Sequence, residues 1–172
     1  AVAVVHPNGP DTWLTIVGWV GDSRVLFVPS DAGARLQTLT LDDGVVRLHV
    51  TSAAQAKKVQ ATLGAVTNAR NLTIRERDFF LERNVLIQAV GDSLRHVHVC
   101  EHSLGEGDQL FLTTDGVHDN LTDREITTIA RRSATAQEAS ARLVTAARER
   151  SRDPEHIRAK PDDMTAVVVR MG

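Results

Sequence analysis

The chain has 172 residues, a formal net charge of -2 and a sequence pI of about 6.4, with 42% hydrophobic residues but only 3% aromatic and no Tyr. That length supports one core of ordinary size, which Val, Leu, Ile and Ala have to fill. Charges of both signs are mixed along the chain, which argues against a polyanion partner, and so few aromatics leave little to stack on nucleic-acid bases. The single Cys100 excludes an internal disulfide and a Cys-based zinc site, and no apolar run approaches the ~20 residues that span a bilayer. The expectation is a reducing, cytoplasmic setting with no membrane or nucleic-acid partner.

The chain opens without Met, directly in the apolar run "AVAVV", which predicts an internal start: a piece of a longer chain, or a processed product. Residues 2–5, 13–20 and 24–28 are short apolar or alternating runs set off by Pro, Asn, Gly and Asp, the pattern of antiparallel strands, with "GDS" at 21–23 as a hairpin turn. "VVRLHV" (45–50) alternates and predicts a further strand, while 52–65 has helix-forming composition behind a capping Ser52. Residues 66–83 carry no clear pattern, and "LERNVLIQAVGDS" predicts a helical turn or an irregular connection. "LRHVHVC" (94–100) and "DQLFLTT" (108–114) predict strands separated by the turn-rich "HSLGEG". Two helices then open on capping boxes, Thr122 with Glu125 and Thr135 with Glu138, the second running to about Arg150. A polar loop over 151–163 leads to a last strand, "MTAVVVR". Strands and helices without regular alternation predict a layered α+β domain over 1–172.

Three loops carry acids at strand ends: "VGDSRV" with Asp22, "TTDGVHD" with Asp115 and Asp119, and "KPDDMT" with Asp162 and Asp163. Each alone reads as an ordinary turn residue capping its own backbone. Gathered at one sheet edge, their mutual repulsion would raise some pKa values unless cations neutralised them. An all-carboxylate set suits Mg²⁺ or Mn²⁺, hard ions that prefer oxygen ligands.

The order and spacing of "VGDSRV", "RNVLIQAVGDS", "GDQLFLTTDGVHDNLTDREI" and "PDDMTAVVV" resemble the metal-dependent protein phosphatases, the PPM or type 2C Ser/Thr phosphatases, over almost the whole chain. "LTLDD" is close to that family's L-T-x-D-H, with Asp43 in place of His. The resemblance implies a four-layer α-β-β-α sandwich of two antiparallel sheets flanked by helices, and hydrolysis of phosphoserine or phosphothreonine in protein substrates. It implies two core Mn²⁺ or Mg²⁺ ions bridged by an attacking water, and a third, weaker ion. By motif position Asp115 and Asp162 would ligate a core ion, and Asp22 and Asp119 would join Asp115 around the third, with Asp163 supporting its loop. Partners would be phosphorylated proteins and a cognate Ser/Thr kinase pathway.

The family's phosphate-gripping Arg, its E-D pair and its D-G-x-G-G-H segment are missing from this sequence, which predicts an N-terminally incomplete phosphatase domain whose activity belongs to a longer chain. The alternative is a catalytically silent, phosphatase-like binding or regulatory module. Two further patterns compete for attention. His96, His98, Cys100 and His102 alternate in "HVHVCEH", which suits either a zinc or copper site or a solvated strand face, the latter being the preferred reading. His118 is expected to be an exposed loop residue, Cys100 a small strand residue, and Arg24 either a phosphate ligand or the partner of a carboxylate.

Overall fold

The computed structural model describes residues 1–91 and 94–172, so Asp92 and Ser93, the end of "RNVLIQAVGDS", lie outside the described residues. Val2–Gly9 (β1) and Thr12–Trp19 (β2) form an antiparallel hairpin, closed at Asp11 in the left-handed region (φ 52), which a short polar side chain tolerates. His98–Gly105 (β5) pairs with the other edge of β2 and completes a three-stranded sheet. Arg24–Val28 (β3), Gln37–Thr38 (β4), Gln109–Thr113 (β6) and Ala166–Arg170 (β7) form a second antiparallel sheet in the order β4-β3-β6-β7.

Two turns therefore differ from the sequence expectation. "GDS" at 21–23 is not a hairpin: Gly21 (φ 85) carries the chain from β2 in one sheet to β3 in the other. "HSLGEG" is mostly strand, because β5 runs through to Gly105 and only the residues before Gln109 make the second crossover. A short turn looks the same in sequence whether its flanking strands pair or part company.

The two sheets close on each other through Val17, Trp19 and Leu104 from the first and Val25, Phe27 and Leu110 from the second. The opposite face of the second sheet, Leu26, Val28 and Phe111, is covered by Asp123–Arg132 (α5) and Ala136–Ser151 (α6) through Ile126, Ala130, Ala139, Leu143 and Ala147. β3 is buried on both faces, which is why "RVLFV" is continuously apolar after Arg24 instead of alternating. Each large aliphatic side chain so buried contributes about 1.5–3 kcal/mol. The first sheet is different: Val2, Val4, Ile16 and Val99 on its outer face are exposed.

Both predicted capping boxes open helices. The Thr122–Glu125 box is reciprocal, whereas Glu138 accepts from the Ala134 amide, one residue earlier than a reciprocal box requires. Ala53–Ala65 (α2) begins at Ser52 as predicted. "VVRLHV" is not a strand: Val46–His49 (α1) is one helical turn, held where Arg47 bonds Asp43 Oδ1 at 2.5 Å across i,i+4. That contact outweighs the alternating pattern. The unpatterned segment 66–83 contains Ile74–Leu81 (α3), opened by a Thr73–Glu76 capping box. Val45, Leu63, Val66, Leu72, Phe79 and Phe80 gather α1–α3 into a smaller core. Among the described residues no helix is long and apolar enough to cross a membrane.

Candidate functional site

β6 and β7 are neighbours, and their ends continue to hold each other beyond the ladder. Thr114 N donates to Thr165 O, Thr165 N donates to Thr114 Oγ1, and Thr114 Oγ1 donates to Asp163 O. The loop before β7 is thereby laid against the turn after β6, Asp115–His118 (α4). Gly116 is required by this approach: a Cβ there would lie 2.2 Å from Asp163 O. Asp119 N donates to Asp115 O at 2.8 Å, so one helical turn puts the two carboxylates on the same side.

What they face is an ammonium. Lys160 Nζ lies 2.6 Å from Asp115 Oδ2, 2.9 Å from Asp119 Oδ2 and 3.4 Å from Asp162 Oδ2. Burial alone would push this Lys down, but Asp119 and Asp115 outweigh it and its pKa rises. Arg83 Nε adds a second cation at 3.2 Å from Asp119 Oδ2. Asp22 belongs to the same electrostatic neighbourhood: burial first, then the charges of Asp115 and Asp42, raise its pKa to about 6. Asp115, Asp119 and Asp162 are thus brought together from two chain segments, with Asp22 near enough for Asp115 and Asp119 to raise its pKa, while Asp163 contributes its backbone carbonyl to the loop contact.

Several residues that sequence reasoning passes over build the frame. Asn120, fully buried, receives the Lys160 amide on Oδ1 (2.9 Å) and donates Nδ2 to Lys160 O (2.8 Å) and Gly116 O (2.9 Å). Arg158, 2% exposed, donates to Leu63 O and His118 O. Burial pushes its pKa down to about 10 against the pull of Asp119. In sequence Asn120 is one more polar residue before a helix and Lys160 one more charge in a polar loop; only the pairing of β6 with β7 gives them roles.

His118 is not the exposed residue expected. It is 2% exposed, shares a 2.9 Å hydrogen bond between Nδ1 and Thr113 Oγ1, and is held well below the usual imidazole range by burial and by Arg24 and Arg158. Arg24 is also buried and makes a bidentate pair with Asp42 through Nε and Nη2, the carboxylate-partner role of the two expected for it. Asp43, standing where the resemblance has His, is 1% exposed and accepts from the Gly21 amide, Arg47 and Gln88, with His98 Nε2 at 2.9 Å.

The "HVHVCEH" run is a solvated face only at His96, which is exposed; His98, Cys100 and His102 are half-buried, His98 against Asp43 and Trp19, and His102 against Phe27. Burial raises the Cys100 thiol pKa, which suits a packing residue.

Among the described residues no three His, Cys, Asp or Glu side chains stand in positions ready to hold a metal ion. The chemistry of the Asp22, Asp115, Asp119 and Asp162 set nevertheless fits a hard divalent cation: every donor is a carboxylate oxygen, and Asp115, Asp119 and Asp162 already share a cation, Lys160.

The family model described as Stage II sporulation protein E (SpoIIE) matches residues 76–172, which include Asp115, Asp119 and Asp162 but not Asp22. No curated protein matches the chain. Among solved structures, the S. agalactiae serine/threonine phosphatase is 24% identical over 94% of this chain and 55% of that one, with a TM-score of 0.61. The Mycobacterium tuberculosis serine/threonine phosphatase PstP/Ppp is 19% identical over 96% of this chain and 57% of that one, with a TM-score of 0.62. The PstP catalytic domain in complex with two manganese ions is 19% identical over 96% of this chain and 56% of that one, with a TM-score of 0.59. At these identities the likeness shows the fold, and the chain spans little more than half the length of each structure.

Proposed function

Because the chain belongs to the SpoIIE family, of PPM type, and shares the fold of Ser/Thr phosphatases, we propose that it serves a metal-dependent Ser/Thr phosphoprotein phosphatase. The observation that supports this reading is the meeting of carboxylates from two distant segments, Asp115 and Asp119 with Asp162, around one cation at the end of the sandwich, with Asp22 in the same electrostatic neighbourhood. The PstP complex with two manganese ions supports Mn²⁺ or Mg²⁺ as cofactor. In this reading Asp115 and Asp162 hold a core ion, and Asp119 and Asp22 join Asp115 around a further, weaker one.

Bound divalent ions supply charge neutralisation at the phosphoryl oxygens and an acidified water for in-line attack. The chain's own residues supply the frame. The Thr114–Thr165 lacing fixes the separation of Asp115 and Asp162, Gly116 lets the two loops touch, and Asn120 holds the second loop by its backbone. His118, buried and with its imidazole pKa pushed down by burial and by Arg24 and Arg158, packs beneath the turn. Substrates are phosphorylated proteins, and the natural partner is the kinase that phosphorylates them.

The alternative of a silent binding or regulatory module is favoured by one observation: Asp115, Asp119 and Asp162 are already paired with a cation of the chain itself, Lys160. Phosphate release from a phosphoserine peptide by the intact protein separates the two. Activity requiring Mn²⁺ or Mg²⁺ and reduced at least about a hundredfold in Asp115→Ala or Asp162→Ala is the expected result. Full turnover in either variant overturns the site, and no turnover with any divalent ion favours the silent module.

A further inference from the structure

We propose that Lys160 is a tethered cation that holds the carboxylate cluster in the absence of a divalent ion and has to be displaced for one to bind, so that this side chain sets the metal affinity of the site. The inference rests on the metal reading of the same cluster.

Position is the first argument. Lys160 Nζ contacts Asp115 and Asp119 from the turn after β6 and Asp162 from its own loop, so the ammonium sits at the point where the proposed ligands converge. All three ammonium hydrogens have a carboxylate to meet.

The second argument is independent of charge. A free surface Lys gives up rotamer entropy to hold one pose, and exposed ion pairs seldom repay that. Lys160 is not such a residue: its amide and its carbonyl are both gripped by the fully buried Asn120, which also grips Gly116 O in the turn that carries Asp115. The side chain therefore starts from a backbone fixed beside its targets, and the cluster sees it at high effective concentration.

The third argument is the charge balance. Three carboxylates, Asp115, Asp119 and Asp162, directly meet two cations, Lys160 and Arg83; nearby Asp22 adds to that excess of negative charge, and Arg24 and Arg158, which act on Asp119 without pairing with it, offset part of it. A divalent ion brings twice the charge of an ammonium in a smaller radius and satisfies that excess better. The four-carbon stem of Lys160 can swing out while Asn120 keeps its backbone in place. Binding is then an exchange of one cation for another, and the tether costs affinity.

Calorimetric titration with Mn²⁺ tests this on wild type, Lys160→Met, Lys160→Arg and Asp115→Asn. The expected result is at least about tenfold tighter binding in Lys160→Met, near-wild-type affinity in Lys160→Arg, and loss of binding in Asp115→Asn. Without metal, Lys160→Met melts at a lower temperature than wild type, and Mn²⁺ restores it. Should Lys160→Met fail to fold without metal, Lys160→Gln, which keeps length and polarity but no charge, carries the same expectation. Equal affinities in wild type and the uncharged variants, with binding still lost in Asp115→Asn, overturn the tether and leave the metal reading standing. No Mn²⁺ binding in wild type or in either uncharged variant overturns both.

Discussion

Asp43 and Asp115 are both carboxylates near the ends of strands, and they live in opposite circumstances. Asp43 is surrounded by its own chain's donors: the Gly21 amide, Arg47, Gln88 and His98 all meet one buried carboxylate. Around Asp115 the ratio is inverted, with Asp115, Asp119 and Asp162 sharing one ammonium. A carboxylate with more donors than it needs is a structural joint between segments. Carboxylates with fewer cations than they need are a place for something else to bind, at some expense of stability.

That contrast predicts opposite mutational signs. The largest effect belongs to Asp43→Ala, which leaves Arg47, Gln88 and the Gly21 amide without their acceptor in a buried setting. Chemical denaturation is expected to show a loss of about 3–5 kcal/mol, as for other broken buried pairs. A loss below about 1 kcal/mol would mean that water replaces Asp43 freely, and the contrast would collapse.

Gly116→Ala comes next. Its new Cβ meets a backbone oxygen, Asp163 O, which has no rotamer through which to escape. The two loops must separate, with an expected loss of about 1–3 kcal/mol and a weakening of Mn²⁺ binding measured by titration. Unchanged stability and affinity would show that the loop contact is not what sets the cluster.

The smallest effect is that of Asp22→Asn. Burial, with Asp115 and Asp42 nearby, disfavours the ionised form of Asp22 in the folded protein, so a neutral amide relieves the crowding. Thermal melting at neutral pH without metal is expected to be unchanged or slightly higher, while the stabilisation given by Mn²⁺ shrinks. A marked drop in melting temperature would place Asp22 with Asp43 among the structural joints.

Much of this architecture is legible from one sequence because its local signals agree with its global fold. The Thr122 and Thr135 caps announce α5 and α6, and the apolar runs at 24–28 and 109–113 announce the central strands. Failures occur where a tertiary contact decides. Alternation over 45–50 predicts a strand, but the Asp43–Arg47 pair winds the segment into α1. The Thr73–Glu76 box is readable in principle, yet the apolar residues of α3 form no single stripe: Phe79 and Phe80 are buried while Ile74 and Leu81 are exposed. His118 looks like a loop residue and is buried because Thr113 offers it a hydrogen bond under the turn.

The candidate site divides in the same way. The four aspartates stand out in sequence as acids at strand ends. The residues that hold them in register do not: Asn120, Lys160, Arg83 and Arg158 each depend on a partner more than thirty positions away, such as Asn120 with Lys160 and Arg83 with Asp119. No local pattern encodes those pairings, which follow from the neighbouring of β6 and β7 and from the small core that gathers α1–α3.

The central claim is that the crowded aspartates are a divalent-cation site and not a surplus of turn residues. Calorimetric titration of Mn²⁺ into wild type, Asp115→Asn and Asp162→Asn tests it most directly. Saturable binding in wild type that disappears in both variants, while all three proteins keep the same fold by circular dichroism, is the predicted result. Identical binding heats in the three proteins would contradict it.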